Sequence, residues 1–285
     1  MSTATVSAAD PPPAEPQDTP ATADPSSAAP AGESAPTVGA VLTPGAADMA
    51  LPAPPEPLLL ARFEAQTLPP DFIKLGDAAA PILARYRAAT KPPAKGAVLF
   101  IPAPGRFIGD DAVIAAALAE LPGGGWSVLA VQTPLLSAIA TTRQYDETHD
   151  QALARAKQGL EYLATQQSPA TVVVGRAGSV ELAREVAIIA GEFAALVALG
   201  PWSGRLGESK IPLLDVSPAR ERVSLARAGE RKQEASRAKL EVYKQVVLTG
   251  ADQRYIGFEV EIARRIRGFA EHLPPPAKAK PAPGS

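Results

Sequence analysis

Six short runs dominated by Val, Ile, Leu and Ala constrain this chain more than anything else in it. They fall at 97–101, 127–132, 171–174, 194–199, 212–216 and 243–248, and several are apolar throughout. A strand that is apolar on both sides must be covered on both sides, the condition of a parallel sheet with helices above and below it. The segments between supply the helices: 111–121, 146–166, 179–191, 220–240 and 258–273 read with helical period. In the second of these, Leu153, Ala156, Leu160 and Leu163 share one face, with Arg155, Lys157 and Glu161 elsewhere. Pro122-Gly123-Gly124-Gly125 stops the helix before it. Upstream, 62–68 and 82–88 read as an antiparallel hairpin or meander at the sheet edge, joined to the main sheet through Lys91-Pro92-Pro93.

Ahead of Leu58 the chain has a different character. More than a dozen of its 31 prolines lie there, with Ala, Ser, Thr, Asp and Glu filling the gaps. Burying alanine cannot offset the roughly 1–2 kcal/mol per residue lost in fixing a backbone, so 1–57 is expected to be a disordered leader and 274–285 a disordered tail. What remains, 58–273, is long enough for one domain with a sizeable core. A net charge of -2 gives no global basic field, so charge does not point to nucleic acid or to an anionic membrane surface. The absence of cysteine excludes a thiolate nucleophile, a disulfide scaffold and Cys-ligated metal sites. No phosphate loop, dinucleotide fingerprint or metal-ligand cluster is present, so no cofactor or metal is expected. No apolar run approaches a membrane span, and no apolar segment follows Met1. Val6-Ser7-Ala8 has the spacing of a signal-peptidase site. The expectation is a periplasmic or cell-envelope location if an export signal precedes this chain, and a cytoplasmic one otherwise.

In an open α/β sheet, ligands sit beyond the carboxyl ends of the strands. The run from Thr171 to Ser179, TVVVGRAGS, is a strand entering a tight turn and then a helix, the setting of a nucleophile elbow of the form G-x-nucleophile-x-G. Ala177 stands at the centre of that pattern and has no nucleophilic atom. Ser179, two residues on, reads as a helix cap or packing residue, with catalysis the minority reading. The acid of such a site would follow the 212–216 strand, making Glu221 and then Asp215 the candidates. The histidine would follow the last strand, and there the sequence has Gln253, which cannot shuttle a proton near neutral pH. The two histidines of the chain, His149 and His272, read as surface residues. After the first central strand, Ala103 and Gly105 can offer N–H donors, whereas Pro102 and Pro104 cannot. The Arg- and Lys-rich helix 220–239 is interleaved with Glu221, Glu230 and Glu234 and reads as a solvated face, with a binding surface the minority reading.

From Ala84 to Leu273 the sequence resembles an uncharacterised bacterial α/β-hydrolase-like family of unknown function, usually carried by exported proteins. The resemblance rests on GAVLFIP (96–102), GWSVLAV (125–131), IPLLD (211–215), Tyr243-Lys244-Gln245 leading to Gly250-Ala251-Asp252, and RRIRGF (264–269). It implies an α/β-hydrolase fold and a hydrolase ancestry where members keep a Gly-His-Gly elbow and a histidine after Gly-Ala-Asp. This chain departs at both points, with Arg176-Ala177 and Gln253. The expectation is a ligand- or protein-binding module on a hydrolase-type scaffold, with Ala103, Arg106, Arg176 and Gln253 around the pocket and an arginine holding a carboxylate or phosphate. The alternative is a serine-type ester hydrolase using Ser179 or Ser203, with Glu221, Asp215 or Asp252 nearby. A tethering role for the leader is the third reading.

Overall fold

The computed structural model describes residues 56, 58–61, 69–136, 140–167, 171–191, 194–202, 206 and 210–273. Its eight strands are β1 (Phe72–Leu75), β2 (Ile82–Arg87), β3 (Gly96–Ile101), β4 (Trp126–Val131), β5 (Thr171–Arg176), β6 (Ala195–Leu199), β7 (Leu213–Pro218) and β8 (Tyr243–Leu248). They form one sheet in the order β1-β2-β4-β3-β5-β6-β7-β8. β1 and β2 are antiparallel to their neighbours, and β4 through β8 run parallel. Every residue of β3, β4 and β7 is buried, as runs apolar on both faces require.

Among the described residues the helices beside the sheet include α1 (Ala112–Glu120), α2 (Thr142–Asp146), α3 (His149–Thr165), α4 (Val180–Ala190), α5 (Arg222–Arg237) and α6 (Glu259–Glu271). The apolar stripes of α1 and α6 join Val98, Phe100, Val172 and Val174 in one core layer. Those of α3 and α4, with Ala235 of α5, join Leu99, Ile101, Val173 and Leu196 in the other. After β3 the chain crosses by α1 to β4 on one side. After β5 it crosses by α4, on the opposite face, to β6 on the other side. The crevice between the ends of β3 and β5 is therefore the switch point of the sheet, where an open α/β fold leaves room for a ligand.

Three local expectations change. The hairpin partner of β2 is Phe72–Leu75, while 62–68 lies outside the described residues. Its four residues follow Pro69-Pro70 and precede a turn at Gly76 (φ +80°) in which Ala80 N–H reaches the Asp77 carbonyl. Second, the helix expected over 146–166 is α3, and a separate short helix not expected from the sequence, α2, precedes it. Thr141 starts α2 with a reciprocal cap to Gln144, and the Thr148 hydroxyl donates to the Tyr145 carbonyl at 2.8 Å where α2 ends. Third, ordered structure includes Glu56, which is helical and pairs with Arg155.

Candidate functional site at the elbow

The turn after β5 has the strained geometry of an elbow. α4 rides so close to β5 that a Cβ placed on Gly175 would lie 2.6 Å from the Ala183 Cβ and 2.7 Å from the Val180 Cα. The chain then turns through Ala177 at φ +47°, the left-handed region that costs an L-residue with a side chain roughly 1 kcal/mol or more. A 3-10 turn over Ala177–Ser179 leads into α4. Ala177 thus occupies the crest.

Ser179 is buried and does not cap the helix: its hydroxyl donates to the Pro102 carbonyl, tying the start of α4 to the end of β3. Ser203 lies outside the described residues. Asp215 is corrected as a candidate acid. It sits within β7, fully buried, facing α5, where Arg231 Nε and Nη2 each donate to it at 2.9 Å and Tyr243 donates at 3.0 Å. Burial first, and the Asp215 carboxylate second, hold the Tyr243 phenol well above its usual range, so it stays a donor. Glu221 begins α5 and makes no side-chain cap.

On one side of the elbow, Arg176 closes the crevice. Its guanidinium pairs with Asp111, whose other oxygen caps α1 by accepting from Val113 N–H and Ile114 N–H at 3.0 and 3.2 Å. Arg176 also donates to the Gln253 and Arg254 carbonyls at 3.5 and 3.4 Å. The loop after β8 is folded by Asp252, which accepts from Arg254 N–H and Tyr255 N–H at 2.9 Å. That turn leaves Gln253 exposed and sends Tyr255 inward, fully buried, its hydroxyl donating to the Val216 carbonyl at 2.9 Å. A Cβ on Gly200 would lie 3.7 Å from that hydroxyl and 3.8 Å from the Ala177 nitrogen. Tyr255 therefore fills the space between the elbow and the end of β7. Its phenol is raised well above the usual range, chiefly by burial.

On the other side a pocket of about 70 Å³ opens. Pro104, Gly178, Ser179 and Leu182 form one wall; Thr133, Pro134, Tyr145, Asp146, Thr148, His149 and Ala152 form the rest. None of Ala103, Arg106, Arg176 and Gln253 lines it. Ala103 accepts the Arg106 N–H in a turn, and the Arg106 side chain is exposed. Gln132, buried just after β4, ties Thr133 of the pocket wall to the loop after β3: it accepts from Ile108 N–H at 2.9 Å and donates to the Arg106 and Thr133 carbonyls at 3.0 and 2.9 Å. His149, at the first turn of α3, pairs with Glu185 of α4 at 3.0 Å with both side chains about 40% exposed. His272 is exposed at the end of α6. Sequence reading missed this pocket because its walls come from four separate segments. Among the described residues no group of three or more acidic residues or histidines is placed to hold a metal, and no helix is long and apolar enough to cross a membrane.

The same architecture recurs in solved structures. A dienelactone hydrolase from Anabaena variabilis superimposes with a TM-score of 0.52 at 14% identity, over 71% of this chain and 96% of its own. The chain has the α/β-hydrolase fold. An α/β serine hydrolase homologue from Coxiella burnetii gives 0.54 at 12% identity, over 71% and 98%. A dienelactone hydrolase-like promiscuous phosphotriesterase from metagenomic libraries gives 0.54 at 15%, over 71% and 97%. No family model matches the sequence, and no curated protein does. In this α/β-hydrolase scaffold, Gly175–Ser179 stands at the elbow and 250–257 forms the loop after the last strand.

Proposed function

We propose that this α/β-hydrolase scaffold acts as a non-catalytic binding protein, holding a small molecule in the pocket beside the elbow. The observation that carries the reading is Ala177. A backbone at φ +47° costs stability, and in an elbow that strain serves to lift a reactive side chain above the sheet, yet the side chain here is a methyl group. The loop after β8 supports the same reading. Its Gln253 side chain is exposed, and the space toward β7 is taken by Tyr255. Losing a nucleophile and its base together from a serine hydrolase removes on the order of 10⁶ in kcat, which leaves no dedicated turnover.

A panel of short- to long-chain esters, run beside a fluorophosphonate probe on the purified protein, tests this directly. Neither turnover nor labelling is expected. Labelling of the wild-type chain overturns the reading.

A second reading, a serine-type ester hydrolase with a displaced site, draws support from two observations. The similar solved structures include hydrolases and a promiscuous phosphotriesterase. Ser179 and His149 also line one pocket, with His149 on Glu185. Against it, the Ser179 proton is held by the Pro102 carbonyl rather than by a base. Labelling that disappears in Ser179→Ala or Ser203→Ala would establish this second reading.

A further inference from the structure

A group of charged residues lies at the opposite end of the sheet from the elbow, where β3 and β4 begin. There the linker from β2 to β3 is fastened to the turn after α1. Thr90 N–H and the Thr90 hydroxyl both donate to the Pro122 carbonyl at 3.0 Å, and Lys95 N–H donates to the Gly125 carbonyl at 2.8 Å. Beside this seam is an open cleft of about 580 Å³, with Lys91, Lys95, Arg267 and Glu271 around the glycine turn at 123–125. A six-residue parallel strand separates it from the elbow's end of the sheet, roughly 20 Å.

The glycine turn is what lets two of the cations lie across it. A Cβ on Gly124 would stand 2.7 Å from the Arg267 Cδ, and one on Gly125 (φ +90°) 3.4 Å from the Lys95 Cγ. Lys95 donates to Glu271 at 2.8 Å and keeps two further N–H donors. Among the described residues, the side chains of Lys91 and Arg267 have neither a hydrogen bond nor an ion pair. Glu120, at the end of α1, is taken by Arg264 at 3.6 Å.

Cations beside helix ends commonly serve the last carbonyls, and α1 and α6 both end here. That role is filled by other groups. Arg87 takes the Leu118 carbonyl, Thr90 that of Pro122, and the His272 and Leu273 N–H groups those of Phe269 and Ala270. The two helix ends add about half a negative charge each, less than the surplus of three cations over one carboxylate among the described residues lining the cleft. Glu271 registers the result. Its carboxyl is held below the usual range, first by the Lys95 hydrogen bond and then by the charges of Lys95, Arg267 and His272, against its partial burial.

Donors from three segments suit an acceptor with three oxygens and more than one negative charge. A phosphate monoester has both, whereas a carboxylate has two oxygens and a single charge. The cleft is also large enough to take in more than the phosphate itself.

We propose that this cleft binds the phosphate group of a soluble phosphorylated small molecule, held by Arg267, Lys91 and Lys95. The site is independent of the elbow and of the pocket beside it.

Inorganic phosphate and acetate are titrated calorimetrically into the full chain at constant ionic strength. Phosphate is expected to bind at least about fivefold more tightly than acetate. Arg267→Met should weaken phosphate at least about tenfold and Lys91→Met about three- to fivefold, while Glu271→Gln, which removes the carboxylate beside Lys95, should tighten it about threefold. Lys244→Met removes the same charge from an exposed position on β8, outside the cleft, and should stay within about twofold of wild type. Equal binding of acetate and phosphate, no saturable phosphate binding, or a loss in Lys244→Met as large as in Arg267→Met overturns the assignment. So does Arg267-dependent binding to phosphatidylglycerol vesicles without binding of phosphate in solution, which would make the cleft a membrane contact.

Discussion

The two sides of the elbow differ in how their polar groups are satisfied. Toward β7 the charged and phenolic groups are tied inside the protein, Arg176 to Asp111 and two carbonyls, Asp252 to two N–H groups and Tyr255 to Val216, although the Ser217 hydroxyl of β7 is buried without a partner. Toward α3 the Thr133 hydroxyl is left over and the His149–Glu185 pair stands half in solvent. A buried charge pair fixes a conformation, whereas a pair half in solvent is screened and holds little. The closed side is held from within, and the open side carries a pair screened by solvent.

The strongest way to break that contrast is Arg176→Met. Removing the guanidinium leaves the Asp111 carboxylate, only 1% exposed, without its counter-charge. A loss of about 3 kcal/mol is expected in urea unfolding, the low end for a broken buried pair because Asp111 keeps its cap to α1. A change below about 1 kcal/mol would show that the closed side is not held by charge.

An intermediate effect tests Tyr255. Its folded pKa lies above the ordinary 10.0, so the neutral phenol contributes stability fully below pH 10 and that contribution is lost as pH rises through the folded value. Stability should therefore fall above pH 10, with a smaller slope in Tyr255→Phe. The variant itself should cost about 1 kcal/mol at pH 7, from the bond to Val216. Equal alkaline slopes would place Tyr255 in contact with water.

The smallest effect belongs to the open side. His149→Asn should shift stability by less than about 0.5 kcal/mol, because a solvent-screened pair contributes little. A larger loss would make the α3–α4 contact part of the framework and erase the contrast.

Much of the scaffold was legible in the sequence. The six runs rich in Val, Leu and Ala became β3 through β8 to within two residues at each end, because strands buried on both faces, as β3 and β4 are, leave a nearly continuous apolar signal. The elbow was legible for the same local reason, a strand running into Gly175-Arg176-Ala177-Gly178-Ser179. β1 was not, since FIKL between two prolines and a glycine turn carries no alternation long enough to count. The site itself was least legible. Arg176 meets Asp111 across 65 positions, and Thr133, Ser179 and His149 come to line one pocket only after β3, β4 and β5 are in register. Asp215 misled for a related reason: sequence places it near the end of a strand, but the pleat turns it toward α5 and Arg231. A residue's type and its element can be read locally; the face it presents and the partner it finds there depend on the whole sheet.

The close approach at Gly175 also bears on how such a site can change over time. The elbow is shaped from beneath, by Ala183, Val180 and the Ser179 carbonyl pressing against a strand that has no side chain to yield at Gly175, and the Ala177 side chain is not among these three nearest contacts. The mount and the part it carries are therefore separable. The side chain at position 177 can be exchanged while the turn that displays it persists.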